Sequence, residues 1–453
     1  MQLDLISKYN VPGPRYTSYP TVPYWDNTTF STAVWKETLK ASYDKSREEG
    51  ISIYLHLPFC ESLCTFCGCT KRITRNHDVE IPYIDSVIRE WELYVKLLGE
   101  KPKVSELHIG GGTPTFFSAT NLKLLLDGIF GGSVKPMDAE LSFEGHPNNT
   151  SEEHLKTLNE LGFTRVSFGV QDYNKRVQRA INRIQPFENV QRVTELARKH
   201  GFTSVGHDII FGLPFQTTED VVHTIERTKE LKPDRIAFYS YAHVPWIKGN
   251  GQRGYRDEDL PSGTEKRRQY EIGKLLLEEA GYVEIGIDHF ALPEESLCRA
   301  MKANSMHRNF MGYTASKTQV MIGLGVSAIG DSWYSFAQNV KNVEEYQSLV
   351  ENNILPVYRG HLLDKEDLII RSHILNLMCH FETSWKCDDM KFDELPDVLI
   401  RLKEMEADGL IEFESDLLRV TEKGKPFVRN VCMSFDLRLK RKKPETQLFS
   451  MTV

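Results

Sequence analysis

Residues 51–69 read ISIYLHLPFCESLCTFCGC, an apolar run followed by a loop that holds Cys60, Cys64, Cys67 and Cys69. The apolar run at residues 51–57 is typical of a buried strand. In α/β folds the functional loops follow the carboxyl ends of parallel strands. The stretch therefore predicts the first strand of a parallel sheet, with the four cysteines at the functional edge of that sheet.

Strands and helices alternate outward from this stretch. Strands are predicted at residues 51–57, 104–109, 140–144, 165–170, 204–211 and 235–241, and helices between them at 84–98, 122–129, 152–161, 187–200 and 218–231. The glycines at 110–112, Glu144 and Gln171 each lie at the end of a strand. Six strand–helix units with short connections predict an α/β fold, a partial (β/α)6 TIM-like barrel rather than a closed barrel of eight.

The chain divides into four predicted segments. Residues 1–45 are expected to form an N-terminal arm or lid, because three prolines and a glycine at residues 12–20 prevent a regular helix. Residues 46–245 hold the barrel core, and residues 246–358 are expected to extend the barrel and to contribute to a substrate cavity. A C-terminal, mostly helical, winged-helix-like domain is expected at residues 359–453, with helices at 368–381 and 395–407 and a hairpin at 410–413 and 417–420.

The composition excludes several classes of protein. A net charge of −7 does not fit a protein whose main partner is nucleic acid. No run approaches about 18 apolar residues, and residues 1–8 do not resemble a secretory signal. No membrane partner is expected, and the predicted location is the cytoplasm. The basic run at 440–443 is interpreted as a solvated tail, and the remaining cysteines as inert thiols: Cys298, Cys379, Cys387 and Cys432.

The spacing of Cys60, Cys64 and Cys67 indicates a metal cluster. Thiolates are the usual ligands of iron–sulfur clusters, and three of them on one loop can hold a [4Fe–4S] cubane. Three ligands leave one iron open to a small molecule, as radical S-adenosylmethionine (SAM) chemistry requires. A structural zinc site is the alternative, but such sites generally join two separated pairs of ligands. A cluster ligated by all four cysteines is disfavoured because Cys69 lies so close to Cys67.

Three further features near the strand ends fit a SAM site, and each also has a plainer interpretation. The glycines at 110–112 let a ligand approach the backbone, although many glycine-rich loops are only turns. Glu144 can bind a ribose hydroxyl, as acidic residues do in nucleotide-binding folds, or can be a solvated carboxylate. Tyr54 can pack on the cluster or on SAM, or can be part of the core.

At these residues the sequence closely resembles the oxygen-independent coproporphyrinogen III oxidases, which are radical SAM dehydrogenases of haem biosynthesis. The resemblance runs nearly end to end. Its markers are residues 14–20 (PRYTSYP), the cysteine loop with Phe66 and Cys69, and the segments 110–115, 169–172, 182–183, 212–214, 241–243, 288–290, 307–310 and 325–329.

The resemblance implies a radical SAM type of barrel that binds a [4Fe–4S] cluster and two SAM molecules. The first SAM would contact Tyr54, Gly111, Glu144 and Ile329. The second would contact Phe66, Gly112, Thr113, Gln171, Arg183, Asp208 and Ala242. It also implies a reaction in which a 5′-deoxyadenosyl radical takes hydrogen from the β-carbon of a propionate. Loss of carbon dioxide and an electron leaves a vinyl group, and two rounds convert coproporphyrinogen III to protoporphyrinogen IX.

The substrate carries four propionates, so cations are expected to face its cavity, and Arg15 and Arg308 are the candidates. Cys69, not needed as a cluster ligand, is interpreted as a catalytic residue near the substrate. The N-terminal arm is expected to close over the site and shield the radical. An unidentified reductant such as flavodoxin or ferredoxin is expected as a partner, and the chain is expected to be a monomer.

Three other functions remain open from the sequence. A radical SAM haem chaperone would keep the three cluster cysteines, but such proteins usually have an aromatic residue where Cys69 stands. A haem-modifying radical SAM methyltransferase is a related enzymatic alternative. A transcriptional regulator would use the winged-helix-like segment, although the acidic balance argues against DNA as its main partner.

Overall fold

The computed structural model describes residues 3–246, 251–252, 254–316, 318–442 and 444–452, so Lys443 of the basic run lies outside the described residues. The N-terminal segment contains α1 (Leu3–Tyr9) and α2 (Thr32–Ser46). The predicted alternation of strand and helix is confirmed in the barrel core. Its elements are β1 (Ile51–Leu57), β2 (Phe59–Cys60), β3 (Arg72–Ile73), α3 (Glu80–Leu98), β4 (Val104–Gly111), α4 (Ala119–Gly131), β5 (Glu140–Gly145), α5 (Glu152–Glu160), β6 (Arg165–Gln171), α6 (Lys175–Ala180), α7 (Phe187–Lys199), β7 (Ser204–Phe211), α8 (Thr218–Leu231) and β8 (Arg235–Ser240).

Shorter elements follow the core. The next segment contains α9 (Gly263–Glu279), β9 (Val283–Ile285), β10 (His289–Ala291), α10 (Ser296–Lys302), β11 (His307–Asn309), β12 (Gly312–Thr314), β13 (Val320–Leu324), β14 (Ile329–Asp331), β15 (Ser335–Asn339), α11 (Val343–Glu351) and β16 (Val357–Leu362). The last segment contains α12 (Lys365–His380), β17 (Glu382–Ser384), α13 (Leu395–Ala407), β18 (Ile411–Glu414), β19 (Leu417–Val420), α14 (Val428–Phe435) and α15 (Leu437–Arg441).

One twelve-stranded sheet forms the scaffold, in the order β16-β15-β14-β13-β1-β4-β5-β6-β7-β8-β10-β9. The six predicted strands lie side by side and run parallel, and β13 adds a further parallel strand beside β1. Antiparallel strands extend both ends of this parallel region. The carboxyl ends of the parallel strands therefore share one edge, which is where the cysteine loop begins.

The alternation of residues along β1 shows why this segment is a central strand. Its odd-numbered residues, from Ile51 to Leu57, are fully buried with Trp91 of α3 in the main apolar core. Its even-numbered side chains make polar contacts on the other face, where Ser52 Oγ donates to Glu106 Oε2 at 2.7 Å. Helices cover one face of such a strand, and its other face lines the barrel interior. The strand is therefore buried on both faces, which explains the nearly continuous apolar run.

Part of the predicted N-terminal arm belongs to the body of the fold. Residues 12–20 form no helix, as expected, but α2 lies within the segment that was predicted to be an arm. Trp35 and Leu39 of α2 are fully buried in the main core, and the Ser31 side chain accepts a hydrogen bond from Val34 N and so caps the helix. The proline-rich composition of residues 12–25 does not extend into this helix.

The C-terminal segment is mostly helical, as predicted. The predicted hairpin is present as β18 and β19, and β17 pairs with β19 to complete a three-stranded antiparallel sheet. Helices α12, α13 and α14 pack around an apolar core of their own, to which Tyr16 and Tyr19 of the N-terminal segment also contribute. No helix among the described residues is long and apolar enough to cross a membrane.

Candidate active site

The cysteine loop is held on the rest of the barrel by hydrogen bonds from its backbone and side chains. Thr65 N donates to Ile181 O at 2.9 Å, and Thr65 Oγ1 donates to Ala180 O at 2.9 Å, at the end of α6. Asn182 Nδ2 donates to Leu63 O at 2.7 Å. A loop anchored in this way presents its thiols in a fixed arrangement rather than as a flexible segment.

The four loop cysteines line one cleft of about 1460 Å³ at the carboxyl edge of the sheet. A hydrogen bond with Cys69 lowers the pKa of the Cys67 thiol to about 6, and the nearby Lys71 acts in the same direction. Burial raises the pKa of Cys60 to about 11. Cys67 is therefore ready to act as a thiolate at neutral pH, whereas Cys60 becomes a ligand only if a metal displaces its proton.

Glycines allow the end of β4 to approach the cysteine loop. Gly112 N donates to Leu57 O at 2.8 Å, and Thr113 N donates to Phe59 O at 3.0 Å. A Cβ on Gly112 would lie 2.6 Å from Pro58 O, so only glycine permits this approach. Thr113 Oγ1 reaches Cys60 Sγ at 3.4 Å. The glycine segment and the first cysteine thus form one continuous wall of the cleft.

Tyr54 and Glu144 lie on the barrel-interior side of the cleft. Burial keeps the pKa of His56 below its usual value, so His56 is neutral. His56 Nε2 donates to Thr70 O at 2.9 Å, so His56 Nδ1 is free to accept a hydrogen bond from Tyr54 OH at 3.1 Å. This hydrogen bond fixes the orientation of the Tyr54 ring. The Glu144 carboxylate approaches His108 Nε2 at 3.5 Å and packs on Gly110, where a Cβ would lie 3.0 Å from Glu144 Oε1.

Asp208, Gln171 and Arg183 form the opposite wall. Ser167 Oγ donates to Asp208 Oδ1 at 2.7 Å, and burial raises the pKa of this carboxyl to about 6. Arg183 Nη2 donates to Gly169 O at 2.7 Å. The Gln171 Oε1 and Arg183 Nε atoms are buried and have no hydrogen-bond partner among the described residues. Buried polar atoms of this kind are normally satisfied, so this wall fits a polar ligand.

The structure brings most of the predicted site residues to this cleft and leaves five outside its lining. The lining includes Cys60, Cys64, Phe66, Cys67, Cys69, Gly111, Gly112, Thr113, Glu144, Gln171, Arg183 and Asp208. Tyr54 lies beside it, close enough to Glu144 and Cys69 for their charges to raise its pKa further above the value set by burial. Gln252 donates to both Phe66 O and Ala242 O, which joins Ala242 to the loop.

Ile329, Arg15 and Arg308 lie elsewhere. The Ile329 backbone packs against Gly323, the β13 neighbour of Tyr54, while its side chain packs near Trp25 and Phe336. Arg15 donates to Ser240 O, at the carboxyl end of β8. Arg308 is 5% exposed, with its guanidinium 4.3 Å from the centre of the Tyr313 ring.

The donor set fits a [4Fe–4S] cluster. Among the described residues, no group of three or more His, Cys, Asp or Glu side chains is arranged to hold a single metal ion. A four-iron cluster takes one thiolate per iron, so its ligands are spread around a cube rather than around a point. Three thiols that line the cleft, of which Cys67 has a lowered pKa, meet that need.

Several supporting residues were not singled out from the sequence. His56 orients Tyr54, and the two-residue period of β1, which places both on one face, is a signal that could have identified it. Ser167 orients Asp208 and Asn182 anchors the cysteine loop, but both act through contacts between distant segments. The sequence alone gives no signal for these contacts.

Comparison with known proteins shows which family the chain resembles. Residues 54–228 match the Radical SAM superfamily model. The chain is 38% identical to the oxygen-independent coproporphyrinogen III oxidase of Escherichia coli (strain K12), over 100% of this chain and 98% of that protein. It is 38% identical to the protein of the same name from Helicobacter pylori, over 97% of each chain, and 35% identical to that of Synechocystis sp., over 99% of this chain and 97% of that protein. A solved structure of the Escherichia coli coproporphyrinogen III oxidase, described as a radical SAM enzyme, matches with a TM-score of 0.89 and 36% identity, over 96% of this chain and 98% of that chain.

Proposed function

The chain belongs to the family of oxygen-independent coproporphyrinogen III oxidases, and from that premise we propose how its own residues carry out the reaction. It is a radical SAM oxidoreductase that uses a [4Fe–4S] cluster and SAM. Its reaction is the oxidative decarboxylation of two propionate groups of coproporphyrinogen III to vinyl groups, which gives protoporphyrinogen IX. When bound, the cluster and SAM supply a radical that removes a hydrogen atom from the β-carbon of each propionate, after which carbon dioxide and one electron are lost.

The proposed cluster ligands are Cys60, Cys64 and Cys67. Their support is the fixed loop, the low pKa of Cys67 and the adjacent wall of glycine backbone. A coordination site without a protein ligand would face the glycines, where a SAM carboxylate can meet backbone N–H groups. Cys69 shares a hydrogen bond with Cys67 but is proposed to remain unligated and to act on the substrate.

Two SAM molecules are proposed to lie side by side in the cleft. The first contacts Tyr54, Gly111, Glu144 and Ile329, and here Glu144 accepts hydrogen bonds from ribose hydroxyls while His108 limits its motion. The second contacts Phe66, Gly112, Thr113, Gln171, Arg183, Asp208 and Ala242. The buried Gln171 Oε1 and Arg183 Nε, which have no partner among the described residues, support a polar ligand there.

The substrate is proposed to enter the barrel interior from the carboxyl edge. A cavity continues inward from the cleft and shares Glu144, Ser167 and Asp208 with it. Further in, this cavity is lined by Tyr239, His289 and Tyr313. Arg15 and Arg308 are proposed to bind substrate carboxylates. Residues 246–358 would supply the far wall, and the part of the N-terminal segment that precedes α2 would supply a cover that excludes water.

Three further proposals concern the setting of the enzyme. The electron donor is proposed to be a one-electron reductant such as flavodoxin or ferredoxin. The enzyme is proposed to work as a monomer in the cytoplasm. The end-to-end similarity to the bacterial oxidases supports these proposals.

The observation that carries this function is the set of three thiols beside a glycine wall in a chain that aligns end to end with these oxidases. The test is anaerobic incubation of the reconstituted protein with SAM, a reductant and coproporphyrinogen III. The expected products are protoporphyrinogen IX and one 5′-deoxyadenosine for each vinyl group formed. If 5′-deoxyadenosine forms without a vinyl product, the chaperone or methyltransferase alternative replaces this proposal.

A further inference from the structure

A second cavity lies where the barrel meets the C-terminal helices. It is bounded by the end of β8, by α9, by the turn between β9 and β10, and by α14, and the N-terminal segment reaches it at Arg15. Its charged lining residues are Arg15, Lys266, Arg267, Lys425, Arg429, Glu284 and Asp288. None of these residues belongs to the cleft that holds the cysteines.

Some of these charges are already balanced by a neighbour. Arg267 forms an ion pair with Glu271, and Lys425 forms one with Glu422 at 2.6 Å. Glu284 accepts hydrogen bonds from Tyr270 and Lys274. These groups form closed pairs or networks, so they do not require a ligand.

Three cations of the cavity are not balanced in this way. Arg15 Nη2 donates to Ser240 O, Lys266 Nζ donates to Tyr241 O at 3.3 Å, and Arg429 Nε donates to Pro14 O at 2.9 Å. All of their hydrogen bonds to described residues go to backbone carbonyls, which satisfy the N–H groups but supply no negative charge. Burial, together with the charges of Arg15 and Arg429, lowers the pKa of Lys266 to about 8.

Arg308 adds a fourth cation beside the cavity. Its Nε and Nη1 atoms are buried and have no hydrogen-bond partner among the described residues. Arg15 and Arg429 both lie within electrostatic range of it. Asp288 lies within electrostatic range of Arg15, Arg308 and Arg429, and it also pairs with His289 Nδ1 at 2.6 Å. Burial would raise the pKa of Asp288, but the charges of His289, Arg308 and Arg15 lower it to about 2. Asp288 alone therefore does not balance the positive charge of these arginines.

Arg308 and Arg429 are buried whereas Arg15 and Lys266 are partly exposed, and the excess of positive charge at the two buried groups has a physical cost. Removing an ion from water without a counter-ion costs several kcal/mol, so buried charges are normally paired. The Arg308 guanidinium, whose Nε and Nη1 are without a hydrogen-bond partner among the described residues, matches the two oxygens of a carboxylate. The group therefore has the chemistry of an anion site for more than one carboxylate.

The group also adjoins the barrel interior. Tyr239, which lines the interior cavity, is within electrostatic range of Asp208 and Glu144 on one side and of Asp288 and Arg308 on the other. Arg308 lies against the interior cavity as well, because its guanidinium is 4.3 Å from the ring of Tyr313, which lines that cavity. Ala237 and Tyr239 of β8 line the interior cavity whereas Phe238 and Ser240 line the cation cavity, so the two cavities lie on either side of this strand. The carboxylates of a ligand in the interior would have to reach the cation group around the carboxyl end of β8.

We propose that Arg15, Lys266, Arg308 and Arg429 form a carboxylate site that binds the propionate groups which the enzyme does not decarboxylate. This inference rests on the proposed function, because it assigns the retained propionates of that substrate to a defined subsite. Lys266 and Arg429 are additions to the substrate-binding residues, and the site fixes which edge of the macrocycle faces the cleft.

The test is equilibrium binding of coproporphyrin III, which is fluorescent and is not turned over, to the reconstituted holoenzyme. Lys266→Gln and Arg308→Gln each remove one charge-assisted contact, and each should weaken binding by about 10-fold to 100-fold. Arg267→Gln is the matched control, since Arg267 lines the same cavity but is paired with Glu271, and it should change binding by less than about 3-fold. Lys266→Arg should restore most of the affinity.

The uncharged coproporphyrin III tetramethyl ester separates charge recognition from loss of structure. Lys266→Gln should leave ester binding, iron content and melting temperature at the wild-type level. The inference is overturned if Lys266→Gln and Arg308→Gln bind coproporphyrin III as the wild type does, or if the acid and the ester lose affinity equally. A wild-type enzyme that binds coproporphyrin III through its carboxylates but forms no vinyl product overturns the proposed function and leaves this site standing.

Discussion

Replacing Gly112 by alanine tests whether the glycine wall positions the cluster ligands. The added Cβ would lie 2.6 Å from Pro58 O and 2.9 Å from Phe59 O. Ordinary contact begins at 3.4 Å, so the backbone of Pro58 must move by 3.4 − 2.6 = 0.8 Å. Backbone atoms cannot rotate away as a flexible side chain can, and overpacking of this kind costs about 1–3 kcal/mol.

That displacement reaches the cluster directly, because Phe59 precedes Cys60 and Thr113 Oγ1 contacts Cys60 Sγ at 3.4 Å. If the cost falls on the cysteine loop, the affinity of the loop for the cluster drops by about 5-fold to 150-fold. The assay is iron and sulfide content after anaerobic reconstitution at limiting iron, followed by SAM cleavage. Gly112→Ala should retain much less cluster than the wild type.

Two control variants separate this effect from general instability. Gly68→Ala lies within the cysteine loop, but its Cβ would meet nothing within 4 Å, so its cluster content should be unchanged. Gly99→Ala, at the end of α3, has a φ of +83° and open surroundings, so it loses stability through backbone strain of about 1 kcal/mol away from the cleft. A Gly112→Ala enzyme with full cluster content and full SAM cleavage would refute this account of the glycine wall.

Three further predictions concern single residues. Cys69→Ser should keep the iron content of the wild type yet impair formation of protoporphyrinogen IX, and normal turnover would exclude a catalytic role. Burial raises the pKa of Glu90 from 4.5 to about 7. The stabilisation that comes from this shift is therefore complete below pH 4.5 and is lost as the pH rises through 7. The loss in the free energy of unfolding is about 3 kcal/mol. The melting temperature of Glu90→Gln should therefore fall less than that of the wild type between pH 5 and pH 8, and equal falls would contradict this assignment. Trp35→Ala removes a fully buried side chain whose Nε1 donates to Tyr94 OH at 3.1 Å. It should lower the free energy of unfolding, measured by chemical denaturation, by about 3–5 kcal/mol. A decrease below about 1 kcal/mol would show that α2 is not part of the core.

Local patterns made much of the fold predictable. The bounds predicted for β7 and α8, at residues 204–211 and 218–231, agree with the structure. A capping box between Thr217 and Asp220 marks the start of α8. The apolar periodicity and this capping signal therefore place the start of the helix at the same residue. Helix α2 was missed although Trp35, Leu39 and Tyr43 recur at helical spacing, because the proline-rich residues before it dominated the interpretation of the segment.

The site shows the same division between local and distant signals. The proposed cluster cysteines lie within one short loop, so their spacing alone is enough to predict them. Lys266 and Arg429 carry no such signal, because they join Arg15 only when the chain folds, and Arg429 contacts Pro14 across 415 residues of sequence. A group of charges that depends on packing between the barrel and the C-terminal helices cannot be identified from spacing along the chain.

The central claim is that three cysteines hold the cluster and that the fourth iron binds SAM. Mössbauer spectroscopy of the enzyme reconstituted with ⁵⁷Fe, before and after addition of SAM, measures this directly. The account predicts four irons per chain, of which one changes its isomer shift when SAM is added, in both the wild type and Cys69→Ser. Bound zinc in place of iron, or a cluster whose four irons are all unaffected by SAM, would contradict it.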